Sequence, residues 1–164
     1  MNEISLKNQI VQLIEQESQV DQALQKLTEL LVQQVDRIQW AGFYFMDTRQ
    51  QQLHLGPYTG PATEHTVIPY GKGICGQVAT SGQPFRVDDV SAQDNYIACS
   101  LSTQSEIVVP LYQQEQLIGQ IDLDSDHPQA FSAADEQFLT DLLAILAVQY
   151  GADLQQLQQE VTGA

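Results

Sequence analysis

Basic residues and cysteines are both scarce in this chain of 164 residues. It has 6 lysines and arginines against 21 acidic residues, which gives a formal net charge of −15. A surface of that charge repels phosphate backbones, so we expect no binding to nucleic acid. Most of the acidity is interpreted as a solubility feature. The negative electrostatic potential of this surface favours a zwitterionic or cationic small ligand over a polyanion.

Long apolar runs are also missing. No segment approaches the roughly 18 consecutive apolar residues that are needed to span a bilayer. Residues 1–5 lack a basic region followed by an apolar run, so we expect no secretory signal. We therefore predict a cytoplasmic protein that does not bind membranes. A hydrophobic content of 43% is enough for the core of one ordinary domain.

The spacing of metal-ligand residues indicates no metal site. Cys75 and Cys99, the 2 cysteines, lie too far apart for a Cys-x-x-Cys pair, and the three histidines show no ligand spacing. We therefore predict no metal and no cofactor. A structural disulfide is disfavoured in the cytosol, which leaves two buried thiols or a catalytic couple. Their placement in loop segments, outside the apolar stripes, favours a functional pair.

Helices are predicted at both ends of the chain, with strands between them. The first 38 residues contain an apolar-periodic segment over 5–35 that the polar stretch Glu17–Asp21 divides into two helices. Ser132 is predicted to cap a C-terminal helix, with Asp135 three residues further on. Strands are predicted at 40–46, 53–58, 66–68, 85–87, 106–112 and 116–123, with a loop at 113–115 and a short helix at 75–80.

This order of elements predicts an α+β fold, with a central antiparallel sheet backed by N- and C-terminal helices. We expect a single domain over residues 1–164. Its parts are the N-terminal helices at 1–38, the sheet and a loop-rich active-site region at 39–125, and a C-terminal helix and tail at 126–164. The apolar faces of the terminal helices make a homodimer reasonable.

Three carboxylates are candidate site residues. Asp122 and Asp124 alternate with apolar residues in a predicted strand, so both project from one sheet face. Glu106 begins the partner strand of the hairpin and should lie across from them. Carboxylates brought together raise one another's pKa, so one of them can stay protonated near neutral pH. A solvated sheet edge is the alternative interpretation of the same residues.

Trp40 and Tyr44 share one face of the first predicted strand, four residues apart. An aromatic wall beside acids suits a small cation, a thioether or an S-methyl group. An aromatic cluster in the core explains the same spacing without a ligand.

These segments together resemble the GAF-domain family of free methionine-(R)-sulfoxide reductases. The resemblance covers nearly the whole chain from Trp40 onward, in the family's order. A regulatory GAF domain would share the fold and some glycines, but not both cysteines with this acidic set. The matching stretches are Trp40–Tyr44, Leu55–Gly60, Gly71–Gly76, Val87–Val90, Ile97–Cys99, Ser105–Pro110 and Ile121–Ser125.

The resemblance implies a GAF-like fold and a thiol-dependent reaction on free L-methionine-(R)-sulfoxide. It makes Cys99 the nucleophile that releases methionine and becomes a sulfenic acid. Cys75 would then condense with Cys99 to a disulfide, which thioredoxin would reduce. The implied substrate-binding residues are Glu106, Asp122, Asp124, Trp40 and Tyr44, with one protonated carboxyl polarising the S–O bond.

The chain departs from the family pattern at the position of a third cysteine, which is His65 here. Asp94-Asn95-Tyr96 also replaces the family's usual Pro-Gly-His, while Ser100 and Gln104 replace a usual Asp and a usual basic residue. Three outcomes stay open: Cys75 resolves Cys99, an external thiol such as glutathione does so, or turnover has been lost.

Two other functions remain as alternatives at this point. The first is a non-catalytic, stand-alone GAF ligand-binding or sensor domain, which the missing third cysteine favours. The second is a thiol peroxide sensor that uses the same cysteine couple and needs no carboxylate pocket.

Overall fold

The N-terminal region forms two helices, as the apolar periodicity predicts. The computed structural model describes residues 3–96 and 102–163. Helix α1 spans Glu3–Gln16 and helix α2 spans Val20–Gln34. The break falls in the polar stretch where it was predicted, and the apolar stripes of both helices are buried. Of the residues described, none belongs to a helix long and apolar enough to cross a membrane.

Within the described residues, six antiparallel strands form one sheet. They are β1 (Trp40–Asp47), β2 (Gln52–Thr59), β3 (Val67–Pro69), β4 (Phe85–Val87), β5 (Ser105–Gln113) and β6 (Gln116–Ser125). Their order across the sheet is β3-β2-β1-β6-β5-β4, which makes β1 and β6 the central pair. The predicted α+β fold with a central antiparallel sheet is confirmed.

The hairpin between β5 and β6 has a shorter loop than predicted. Gln113 pairs with Gln116, so only Gln114 and Glu115 remain in the turn. Both have positive φ, at 51° and 67°. A two-residue turn of this kind matches the right-handed twist of the strands, and therefore extends the ladder by one pair.

The C-terminal region contains two helices rather than one helix and a tail. Helix α4 (Ala133–Tyr150) begins at the predicted capping box, in which Ser132 Oγ accepts from the backbone N–H of Asp135 and the Asp135 carboxylate accepts from that of Ser132. Gly151, with φ at 52°, ends it, and α5 (Ala152–Thr162) follows. The expectation of a tail was wrong because Leu154 and Leu157 bury an apolar stripe of α5.

The two faces of the sheet have different covers. Helices α2, α4 and α5 pack on one face, and α1 packs against α2 and α4. Together they form the main hydrophobic core with Phe43, Phe45 and Ile121. The other face carries a second cluster with Trp40, Tyr44 and Val108, under helix α3 (Gly73–Ser81). The second face is therefore covered by one short helix and by loops, and the candidate site lies there.

Candidate active site

Glu106, Asp122 and Asp124 form a buried group, the acid trio, on the face of the sheet that α3 covers. Asp122 and Asp124 lie two residues apart on β6, and Glu106 of β5 is the register partner of Asp124. All three are at most 2% exposed. The predicted shared face and cross-strand placement are confirmed, and the solvated sheet edge is excluded.

The electrostatics of the trio favour a proton on Glu106. Burial raises the pKa of Glu106 well above its ordinary value, and the nearby charges of Asp122 and Asp124 raise it further. Hydrogen bonds with those two carboxylates act in the same direction. Burial and the two neighbouring charges therefore favour the neutral form of Glu106, which can donate a hydrogen bond.

Cys75 lies directly against the acid trio. It is the third residue of α3 and is 5% exposed. Its Sγ donates to Asp122 Oδ2 at 3.3 Å and lies 3.9 Å from Glu106 Oε1. The side-chain amide of Gln120 donates to the Cys75 carbonyl at 3.1 Å and anchors the helix on β6. The structure thus brings together one of the two predicted thiols and all three predicted acids.

Helix α3 begins at Gly73, two residues earlier than predicted. The loop before it turns through Gly71 (φ 83°) and Gly73 (φ 62°), which is backbone that favours glycine. Asn95 fastens this loop from outside. Its Oδ1 accepts from the Gly73 N–H at 3.1 Å and its Nδ2 donates to the Gly71 carbonyl at 2.6 Å. The segment that leads toward Cys99 is therefore attached to the start of α3.

Trp40 and Tyr44 stack on the same face, as predicted, with ring centroids 6.3 Å apart. Tyr58 of β2 stacks on Trp40 at 5.6 Å, a contact that the sequence analysis missed. The stacking of Trp40 and Tyr44 requires a glycine at position 42, because a Cβ there would lie 2.3 Å from the Trp40 ring. Trp40 Nε1 donates to the Pro61 carbonyl and Tyr44 Oη to the His65 carbonyl.

A small cavity of about 10 Å³ adjoins the thiol, with room for about one water molecule. His65, at the position of the third family cysteine, lies in its wall together with Lys72. The other lining residues are Ile68, Gly73, Ile74, Cys75, Glu106 and Asp122.

The site also gathers atoms that could bind a metal ion, which the sequence spacing did not indicate. One ligand atom each of Cys75, Glu106 and Asp122 lies within 4.8 Å of the others. Metal binding would require both the thiol and Glu106 to lose protons. Those two protons take part in the hydrogen bonds that connect the three side chains. The thiol of Cys75 thus contacts both carboxyl groups, at 3.9 Å from Glu106 Oε1 and 3.3 Å from Asp122 Oδ2.

Tyr96 is a second residue that the sequence analysis did not place in the site. Its ring packs against the cluster that contains Trp40, Tyr44 and Cys75. Burial raises its pKa above the ordinary value, and the charges of Glu106, Asp124 and Asp122 raise it further. Thr103, which lies beside the phenol, lowers the Tyr96 pKa. Thr103 and the Tyr96 hydroxyl are not joined by a hydrogen bond of ordinary geometry. The predicted nucleophile, Cys99, lies outside the described residues.

Comparison with known proteins identifies the family. Residues 17–148 match the GAF domain. A free methionine-R-sulfoxide reductase of Escherichia coli is 39% identical over 123 residues, which are 75% of this chain and 73% of that protein. This chain belongs to the GAF-domain family and, within it, to the free methionine-R-sulfoxide reductases.

Solved structures agree with that assignment. The free methionine-R-sulfoxide reductase of Neisseria meningitidis, solved in complex with its substrate, has a TM-score of 0.86 at 35% identity. The match covers 94% of this chain and 90% of that one. The reduced form of the Staphylococcus aureus free methionine-R-sulfoxide reductase (fRMsr) has a TM-score of 0.82 at 36% identity. This match covers 90% of this chain and 94% of that one.

Proposed function

We propose that this chain reduces free L-methionine-(R)-sulfoxide to L-methionine, with Cys99 as the nucleophile. The observation that carries the proposal is the buried acid trio, in which the pKa of Glu106 is raised, next to the Cys75 thiol and the aromatic wall. We infer the substrate from the relatives of Escherichia coli and Neisseria meningitidis, which are free methionine-R-sulfoxide reductases.

In the first step the Cys99 sulfur attacks the sulfoxide sulfur. This attack forms a transient S–S bond to the substrate. That bond and the S–O bond then break, so methionine leaves, and the oxygen and the thiol proton end on Cys99 as a sulfenic acid; the substrate sulfur gains two electrons and Cys99 loses two. Glu106 donates a hydrogen bond to the sulfoxide oxygen and stabilises the negative charge that develops there. A neutral carboxyl is needed for this role, because a carboxylate would repel the oxygen.

The remaining side chains bind the two ends of the amino acid. Asp122 and Asp124 supply negative charge for the substrate ammonium group, and Lys72 on the cavity wall supplies positive charge for its carboxylate. Trp40 and Tyr44 pack against the methyl-sulfur end, where sulfur–aromatic contacts are favourable.

In the second step Cys75 attacks the sulfenic acid of Cys99, which forms a disulfide and releases water. The attack requires the thiol to lose its proton, and Asp122 Oδ2 at 3.3 Å is in position to accept it. A dithiol of the thioredoxin type then reduces the disulfide and returns both thiols.

A second candidate is ligand binding without turnover. The observation that favours it is His65, which replaces the third family cysteine in the wall of the same cavity. In that case the acid trio and the aromatic wall would bind the ligand, and no methionine would form.

Cysteine substitutions separate these functions. Cys99→Ser should abolish methionine release, whereas Cys75→Ser should release one equivalent and then stop when thioredoxin is the reductant. Quantification of methionine, first without a reductant and then with thioredoxin, tests both. Normal turnover by Cys99→Ser would overturn the proposal, and an unchanged steady state in Cys75→Ser would remove Cys75 as the resolving thiol.

His65→Cys provides a matched control for the resolving step. Added to Cys75→Ser, it places a thiol back in the wall of the same cavity. We expect this double variant to regain turnover with thioredoxin, while His65→Ala in the same background should not.

A further inference from the structure

Tyr96 is held in place by the residue before it. Asn95 makes two hydrogen bonds to the glycine loop, at 3.1 Å and 2.6 Å. These bonds fasten the chain beside the start of α3, where Cys75 lies two residues after Gly73. The Tyr96 ring then packs on the cluster that includes Trp40 and Tyr44. The phenol is thus fixed at the edge of the proposed substrate site.

The Tyr96 hydroxyl oxygen is buried and makes no hydrogen bond of ordinary geometry in the described part of the chain, although Thr103 lies beside it. A buried hydroxyl without a partner is destabilising, so native structures seldom keep one without a reason. Glu106, Asp122 and Asp124 lie within electrostatic range and favour the neutral phenol. A neutral phenol has one proton to donate.

We propose that Tyr96 donates a hydrogen bond to the sulfoxide oxygen of the substrate and thereby distinguishes the sulfoxide from methionine. This inference rests on the proposed function. A sulfoxide oxygen carries a large negative partial charge and accepts two hydrogen bonds, one from Glu106 and one from Tyr96. The thioether of methionine is a weak acceptor, so the product loses both bonds and leaves the site more readily.

The test is calorimetric titration of a Cys99→Ser protein, which cannot turn over, with L-methionine-(R)-sulfoxide and with L-methionine. Adding Tyr96→Phe removes only the hydroxyl. We expect it to weaken sulfoxide binding about tenfold and to leave methionine binding unchanged. Tyr112→Phe is the matched control, since Tyr112 is 40% exposed and its hydroxyl donates to the Gly82 carbonyl.

The outcomes separate this inference from the proposed function. Equal weakening of both ligands, or of neither, would overturn the role of Tyr96 while leaving the reductase assignment intact. Absence of sulfoxide binding in the parent Cys99→Ser protein would overturn the proposed function and this inference with it. Selective loss of the sulfoxide in Tyr96→Phe, without loss in Tyr112→Phe, would support both.

Discussion

At the scale of single residues, the chemistry depends on where one proton resides. Three carboxyl groups and a thiol share a buried volume, and burial alone disfavours every negative charge there. The raised pKa of Glu106 reflects that cost, because protonation replaces a third charge with a hydrogen bond. The same proton gives the site its donor for the sulfoxide oxygen.

This arrangement predicts a specific pH dependence. The pKa of Glu106 is raised above its ordinary value of 4.5 on folding. Its stabilising contribution is therefore complete below about pH 4.5 and is lost as pH rises through the folded-state pKa. Relative to Glu106→Gln, the wild type should lose up to about 1.4 kcal/mol of unfolding free energy per pH unit in that window.

Urea unfolding of the wild type and Glu106→Gln, at intervals from about pH 4 to pH 8, measures this difference. The exposed Glu115→Gln is the control and should run parallel to the wild type. In the same window the single-turnover rate of the wild type should fall as Glu106 ionises. Parallel stability curves for Glu106→Gln and the wild type would contradict a raised pKa in the folded protein.

Sequence reasoning reached the acids and Cys75, but not two aromatic residues of the same face, Tyr58 and Tyr96. The alternation of Asp122 and Asp124 with apolar residues is a local pattern, and the hairpin brings Glu106 opposite. Tyr58 and Tyr96 belong to segments far from that hairpin, and no local pattern marks them. Their contacts come from the order of strands in the sheet and from the Asn95 hydrogen bonds.

At the scale of elements, the β5–β6 hairpin fixes the register of the acids. Its turn uses two residues with positive φ, Gln114 and Glu115, and side chains other than Gly, Asn or Asp are strained there. The hydrogen bonds of the long β5–β6 ladder compensate for this backbone strain.

Replacing Gln114-Glu115 with Asn-Gly should therefore stabilise the protein by about 1 kcal/mol, because both residues adopt positive φ more easily. Activity should be unchanged, since the turn lies at the opposite end of the strands from Glu106 and Asp124. Thermal unfolding checks the stability and methionine release checks the activity. An Ala-Ala replacement is the control, and a similar gain there would show that backbone conformation is not the cause.

Most elements could be predicted because their signals are local. The break between α1 and α2, strand β4 and the Ser132 cap follow from polar stretches, short apolar runs and a capping box. Helix α5 was missed because its glutamine-rich sequence carries few apolar residues. Two of them, Leu154 and Leu157, are enough once β1 and β2 provide a surface to bury them.

In the molecule as a whole, one face of the sheet contributes most of the hydrophobic core and the other face contains the candidate active site. Helices α2, α4 and α5 on one face, with α1 packed against α2 and α4, form the larger core. The other face, under α3 and the loops, contains the buried acids, the thiol and the aromatic wall. Buried charge is costly, so the functional face contributes less to stability, and the helix-covered face compensates for it.

The central claim is that this site reduces free methionine-(R)-sulfoxide. The most direct test is methionine release from racemic free methionine sulfoxide by the reduced protein, first under single turnover and then with thioredoxin. We expect one equivalent of methionine from the R form alone, followed by sustained turnover once thioredoxin is added. No methionine from a protein that still binds the sulfoxide would contradict it.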